Sequence, residues 1–177
     1  MAIIQIPAPS STFNLIKRSS FSSVAGTSTT FDGVFTSNYI SYLLEIENLG
    51  SATAGDDLQF VFRASGSDLT AHYGNTLQVA YNGATWTNTT STNTTQITIY
   101  VDNASTTYPA MGQIFVNNVG GTSGYQNMNG FIYGTSGASY NLFFGSNQAT
   151  TTYTGFRLKS ASSNITGTVA VYGLAKS

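Results

Sequence analysis

Apolar residues recur in this chain with a period of two, and that spacing leaves room for little but β-strands. In Tyr39-Ile40-Ser41-Tyr42-Leu43-Leu44-Glu45-Ile46-Glu47, one face collects Ile40, Tyr42, Leu44 and Ile46, while Ser41, Glu45 and Glu47 fall on the other. Successive side chains of a strand point to opposite faces, so the segment predicts a strand buried on one side. Leu58, Phe60 and Phe62 repeat the pattern after a turn at Gly55-Asp56-Asp57, and Ile97, Ile99 and Val101 repeat it again. Short apolar runs follow at 113–116, 131–133, 140–144, 156–159 and 168–172, separated by turn-forming segments such as Gly120-Gly121-Thr122-Ser123-Gly124. No stretch of helical length carries apolar residues at i, i+3 and i+4 between caps. The expected fold is therefore all-β: an antiparallel β-sandwich, jelly-roll-like, with little or no helix. The absence of a fixed-period repeat argues against a solenoid or a fibre shaft.

A chain of 177 residues is long enough to bury a core without metal or disulfide, and it has no cysteine. Its 11 Phe, 11 Tyr and single Trp supply the driving force, since each buried ring removes on the order of 150–250 Å² from water. One boundary stands out. Pro7 and Pro9 cannot donate ladder hydrogen bonds, so residues 1–10 read as an extended N-terminal arm and 11–177 as one β-sandwich domain. Ile3, Ile4 and Ile6 make the arm apolar, and with Pro7 and Pro9 they are expected to contact a neighbouring subunit or, equally, to form an edge strand of the same sandwich.

Charge narrows the function. Only 7% of residues are Asp, Glu, Lys or Arg, and the formal net charge is -1; ordinary soluble domains carry about 25%. Polarity comes instead from Ser, Thr, Asn and Gln, as in residues 85–95. Near-zero net charge removes the long-range repulsion that keeps copies apart, so the surface reads either as one meant to touch protein or as a hydrated hydroxyl and amide shell. Nucleic-acid binding is disfavoured, because Lys17-Arg18 is the only adjacent basic pair and phosphate neutralisation needs more. No apolar run approaches membrane-spanning length and no leader is visible, so synthesis in a reducing cytosol is expected.

Residues capable of chemistry are few. His72 is the only histidine, and Asp68, four residues before it, would face it only on a helix, which Gly66 and Gly74 oppose. No Gly-x-Ser-x-Gly elbow occurs, so no catalytic residue, cofactor site or metal site is assigned. Asp56-Asp57 is thin for calcium and reads as a turn. Glu45 and Glu47 share one strand face, solvated or paired across strands. Tyr81 and Trp86 in the polar segment, with Asn82 and Asn88 beside them, could stack on and hydrogen-bond a sugar; the competing fate of a lone Trp is a core or subunit contact.

The run Phe31-Asp32-Gly33-Val34-Phe35-Thr36-Ser37-Asn38-Tyr39-Ile40-Ser41-Tyr42-Leu43-Leu44-Glu45-Ile46-Glu47-Asn48-Leu49 resembles the opening strands of small tailed-bacteriophage virion proteins. Asn164-Ile165-Thr166-Gly167-Thr168-Val169-Ala170-Val171-Tyr172-Gly173-Leu174 is similar to their final strand, where a Gly-Thr-Val step leads to Tyr-Gly. The resemblance implies a jelly-roll-like sandwich, often trimeric, serving as a head decoration (cement) protein or as a tail-fibre or receptor-binding module. It transfers no catalytic residue. The resulting expectation is a non-enzymatic virion structural protein, a homotrimer partnered by itself and by a phage capsid or tail protein. The alternative is a tail-fibre or receptor-binding module, or a free lectin-like domain, recognising glycan.

Overall fold

The structure, a computed structural model, describes residues 12–26, 29–53, 56–71, 73–80, 86–100, 107, 109–119, 125–134 and 140–175. Among these lie thirteen strands: β1 (Phe13–Val24), β2 (Thr30–Phe31), β3 (Tyr39–Ser51), β4 (Leu58–Ala64), β5 (Ser67–Asp68), β6 (Tyr73–Ala80), β7 (Thr87–Thr94), β8 (Ile97–Tyr100), β9 (Ala110–Asn117), β10 (Gln126–Gly134), β11 (Tyr140–Asn147), β12 (Gly155–Ser160) and β13 (Ile165–Ala175). The described residues contain no α-helix. One antiparallel sheet has eight strands in the order β1-β13-β3-β9-β10-β11-β6-β7; the other has β2-β12-β4-β5, with β8 also beside β4. Early strands pair with late ones: β1 and β3 flank β13, and β2 and β4 flank β12. A long hairpin wound around its own core gives that arrangement, so the all-β sandwich expected from the period-two pattern is the fold.

Alternation fills the space between the sheets. Tyr42, Leu44 and Ile46 of β3, Ile114 and Val116 of β9, Ile132 of β10 and Phe143 of β11 meet Leu58, Phe60 and Phe62 of β4 and Phe156 and Leu158 of β12, all buried. Phe156 organises the aromatic centre, stacking on Phe31 at 4.6 Å and on Phe60 at 5.2 Å between ring centroids. Such pairs contribute about 0.5–1.5 kcal/mol beyond area burial. Buried hydroxyls are satisfied: Tyr73 Oη accepts from the Phe62 amide at 2.8 Å and donates to the Leu69 carbonyl at 3.0 Å, while Tyr153 Oη donates to Asn147 Oδ1 at 2.7 Å. Burial pushes the Tyr153 phenol up to about 12, so it stays neutral.

The face assignment of β3 needs one correction. Ile40, expected in the core with Tyr42, is 53% exposed. Ser41 pairs with Leu174 and Tyr39 with Ala175, so β3 carries one extra residue at Ile40. This bulge turns Ile40 outward and brings Tyr39 in, edge-on to Tyr42 at 5.8 Å. Gly173 makes the room, because a Cβ there would stand 2.4 Å from the Tyr39 ring.

Candidate functional site

Apart from a groove along the β6–β7 edge, the inner face of the large sheet packs the core, and the outer face of the sheet stays open. Five neighbouring strands, β9, β10, β11, β6 and β7, contain no Asp, Glu, Lys or Arg. Their register arranges the outward side chains in rows. Phe115 of β9 stands opposite Asn129 of β10, which stands opposite Phe144 of β11 and then Thr76 of β6. The next row runs Gln113, Phe131, Leu142, Gln78, Asn88. The third runs Met111, Tyr133, Tyr140, Ala80. Val79 pairs with Thr87, so Trp86, one residue earlier, stands level with Ala80 and extends the third row.

Phe115, Phe131, Tyr133, Tyr140, Leu142 and Phe144 are between 36% and 59% exposed. At 150–250 Å² for a whole ring, they offer on the order of 500 Å² of aromatic and apolar surface. That lies in the upper part of the range for the largest patch on a typical monomer, about 300–600 Å². Phe115 faces out, whereas Tyr39 turns in against Tyr42, and segment 140–144 is apolar on both faces: Phe143 is buried while Tyr140, Leu142 and Phe144 face out. On one side the patch grades into amides and hydroxyls at Asn117, Asn127 and Ser146, which follow the same alternation. An apolar centre with a polar rim is the anatomy of a protein contact surface.

In the opposite corner of the same face the polar groups pair with one another, while Leu15 of β1, opposite Tyr172, stays exposed. Arg18 of β1 donates to Glu47 of β3 at 2.6 Å. Tyr172 Oη of β13 donates to Glu45 at 3.3 Å, and the Ser20 and Thr168 hydroxyls are 2.8 Å apart. Glu45 and Glu47 thus pair across strands, one of the two fates read from their spacing.

Two further polar clusters lie off this face. Asp56 accepts from Ser160 at 2.5 Å, Ser162 at 2.7 Å, Ser163 at 2.7 Å and Ser51 at 3.2 Å. Burial alone raises its pKa, but the four hydroxyl donors outweigh that and hold it down at about 2. The turn read at Asp56 is therefore a clasp joining the end of β3 to the β12–β13 connection; Ser160, Ser162 and Ser163 lie together but 104 to 107 residues from Asp56, and no spacing signals them. On the small sheet, Arg63 bridges Asp32, Nε to Oδ1 at 2.7 Å, and Asp68, which also takes Arg157. Asp68 is engaged there by cations. His72, which the loop reading kept apart from Asp68, lies outside the described residues.

The expected sugar contacts divide. Tyr81 and Asn82 lie outside the described residues, while Trp86 is 47% exposed immediately before β7. A groove of about 330 Å³ lies inside the β6–β7 edge, lined by Leu77 and Val79 together with Asn75, Thr89, Gln96 and Thr98. Alternation sends Thr87 and Thr89 into it and Asn88 to the outer face, so Trp86 stands with Asn88 on the far side. Ile3, Ile4, Ile6, Pro7 and Pro9 lie outside the described residues. Among the described residues, no three His, Cys, Asp or Glu side chains cluster closely enough to hold a metal ion.

The class that the fold defines is an all-β sandwich, whose large sheet carries an uncharged, ring-rich outer face over β9, β10 and β11. Protein-family models, curated proteins and solved structures contain no match to this chain.

Proposed function

We propose that this chain is a non-enzymatic structural component of a bacteriophage virion, a homotrimeric head decoration (cement) protein that stabilises the capsid through protein–protein contacts. The observation that carries the reading is the uncharged aromatic face of β9–β10–β11. Surface of this kind gains by leaving water, at roughly 25 cal/mol per Å² buried, and it holds no activated nucleophile or proton donor. The two sequence runs that resemble phage virion proteins supply the setting, and they support it as a unit: β3 and β13 are hydrogen-bonded neighbours, with Tyr172 opposite Leu43. A shell protein needs extended contact rather than a reaction centre. On this reading its partners are other copies of itself and a capsid protein, it sits on the particle surface, and it is made in the host cytoplasm.

A second reading places the chain at the tail as a receptor-binding module for host glycan. The observation favouring it is the third outer row, where Tyr133, Tyr140 and Trp86 present exposed amphipathic rings beside the amides of Gln78 and Asn88. Antibody labelling of intact particles, viewed by electron microscopy, decides between the two. Label distributed over the head is expected. Label confined to the tail tip moves the chain to the second reading, and particles without label overturn both.

A further inference from the structure

We infer that the outer face of β9–β10–β11 is the surface through which the chain meets a second copy of itself, with Phe115, Phe131, Leu142 and Phe144 at the centre of the contact. The inference deepens the assembly reading above and rests on it for the expectation of several copies. It commits to particular residues and to one occupant.

Three observations select another copy over an unrelated partner. The first is area. A standard interface buries about 800 Å² on each side, and its core is about 65% apolar. The exposed part of the six apolar residues, on the order of 500 Å², is the apolar share such an interface needs, and the amide rim supplies the remainder.

The second is charge. A face without one ionised side chain meets its own copy without repulsion, and the net charge of -1 adds almost none at long range. The same face offers nothing to steer or select a charged partner, which is how dissimilar proteins usually choose one another.

The third is hydrogen-bonding chemistry. Beside Gln113 the Glu45 carboxylate borders the rings and already accepts from Tyr172 Oη, and the polar groups among the rings are amides: Asn129 between Phe115 and Phe144, Gln113 beside Phe131, Gln78 beside Leu142. Each carries both a donor and an acceptor. Such a set can satisfy itself when copies of the patch gather about a symmetry axis, the three-fold axis of a trimer included. A rim of carboxylates or of amines could not.

The test is sedimentation of the full chain against concentration, for the native sequence and two variants. Phe131→Glu places a charge in the apolar centre. Asn129→Lys places one on an already exposed polar position and leaves the core untouched, so it remains informative if the first variant folds poorly. The native chain is expected to be oligomeric at micromolar concentration. Each variant is expected to weaken association by about 100-fold or more, with an unchanged β-sheet circular dichroism spectrum. An oligomer that survives Asn129→Lys in a folded protein overturns the inference and leaves the assembly reading standing. A native chain that stays monomeric at about 100 µM, a concentration at which even weak contacts form, overturns the inference and removes the trimer; the virion location would still be decided by particle labelling.

Discussion

Two corners of one sheet face differ in a way that composition alone would not suggest. Near β1, β13 and β3, every described charged side chain of the outer face has a mate within the chain: Arg18 with Glu47, and Glu45 with the Tyr172 hydroxyl. Across β9, β10 and β11 the outward residues are rings, aliphatics and amides, and the rings stand 36–59% exposed. The first corner has its charges matched, although Leu15 of β1, opposite Tyr172, stays 57% exposed. The second is apolar where a finished surface would be polar, although the strands beneath both corners belong to the same core. A sandwich needs only one face of each strand to be apolar; strands apolar on both faces contain more than folding uses, and on this sheet β9, β10 and β11 together expose Phe115, Phe131, Tyr133, Tyr140, Leu142 and Phe144.

The contrast can be broken most sharply within β11, where Phe143 and Phe144 are neighbours on opposite faces. Phe143→Ala should lower stability by about 3–5 kcal/mol, because the ring is buried and also fills the space above Gly130. Phe144→Ala should change monomer stability by less than about 0.5 kcal/mol while weakening self-association. Chemical denaturation of both variants reads the difference, and equal losses would mean that the Phe144 ring belongs to the fold. Asp56 gives a smaller effect. Its carboxyl titrates at about 2 when folded against the ordinary 3.8, so its contribution is complete above pH 4 and fades as the pH falls through 2. After allowance for solvent screening that contribution is about 1–2 kcal/mol. Asp56→Ala should therefore be less stable than the native chain at pH 6, and the two should converge near pH 2; a constant gap across that range would remove the carboxylate from the account. The Arg18–Glu47 pair is the smallest term, worth about 0.2–1 kcal/mol in a double-mutant cycle. It should diminish in high salt, and a salt-independent coupling would show that this corner is shielded by something other than its own groups.

Much of the fold was legible because each strand states its own period. Leu58, Phe60 and Phe62, or Ile97 and Ile99, needed no partner to be recognised as core. The slip at Ile40 came from a bulge, which depends on how β3 meets β13 and leaves no trace in β3 alone. The aromatic outer face was half legible. Phe115 and the 140–144 segment were readable as apolar on both sides, whereas the charge-free region spans five strands that topology, not sequence order, makes neighbours. The Asp56 clasp was invisible for the same reason: Ser51 and Ser160 are separated by more than half the chain, end strands of different sheets, and reach the same carboxylate only in the folded sandwich.

Hydroxyl-radical footprinting of the native chain, assembled at high concentration and again after dilution, tests the central claim most directly. Protection on assembly confined to Phe115, Phe131, Tyr140 and Phe144, with Ile40 and Tyr172 labelled equally in both samples, is the predicted result. Equal labelling of the four rings in both samples, or protection centred on the Arg18–Glu47 corner, would contradict it.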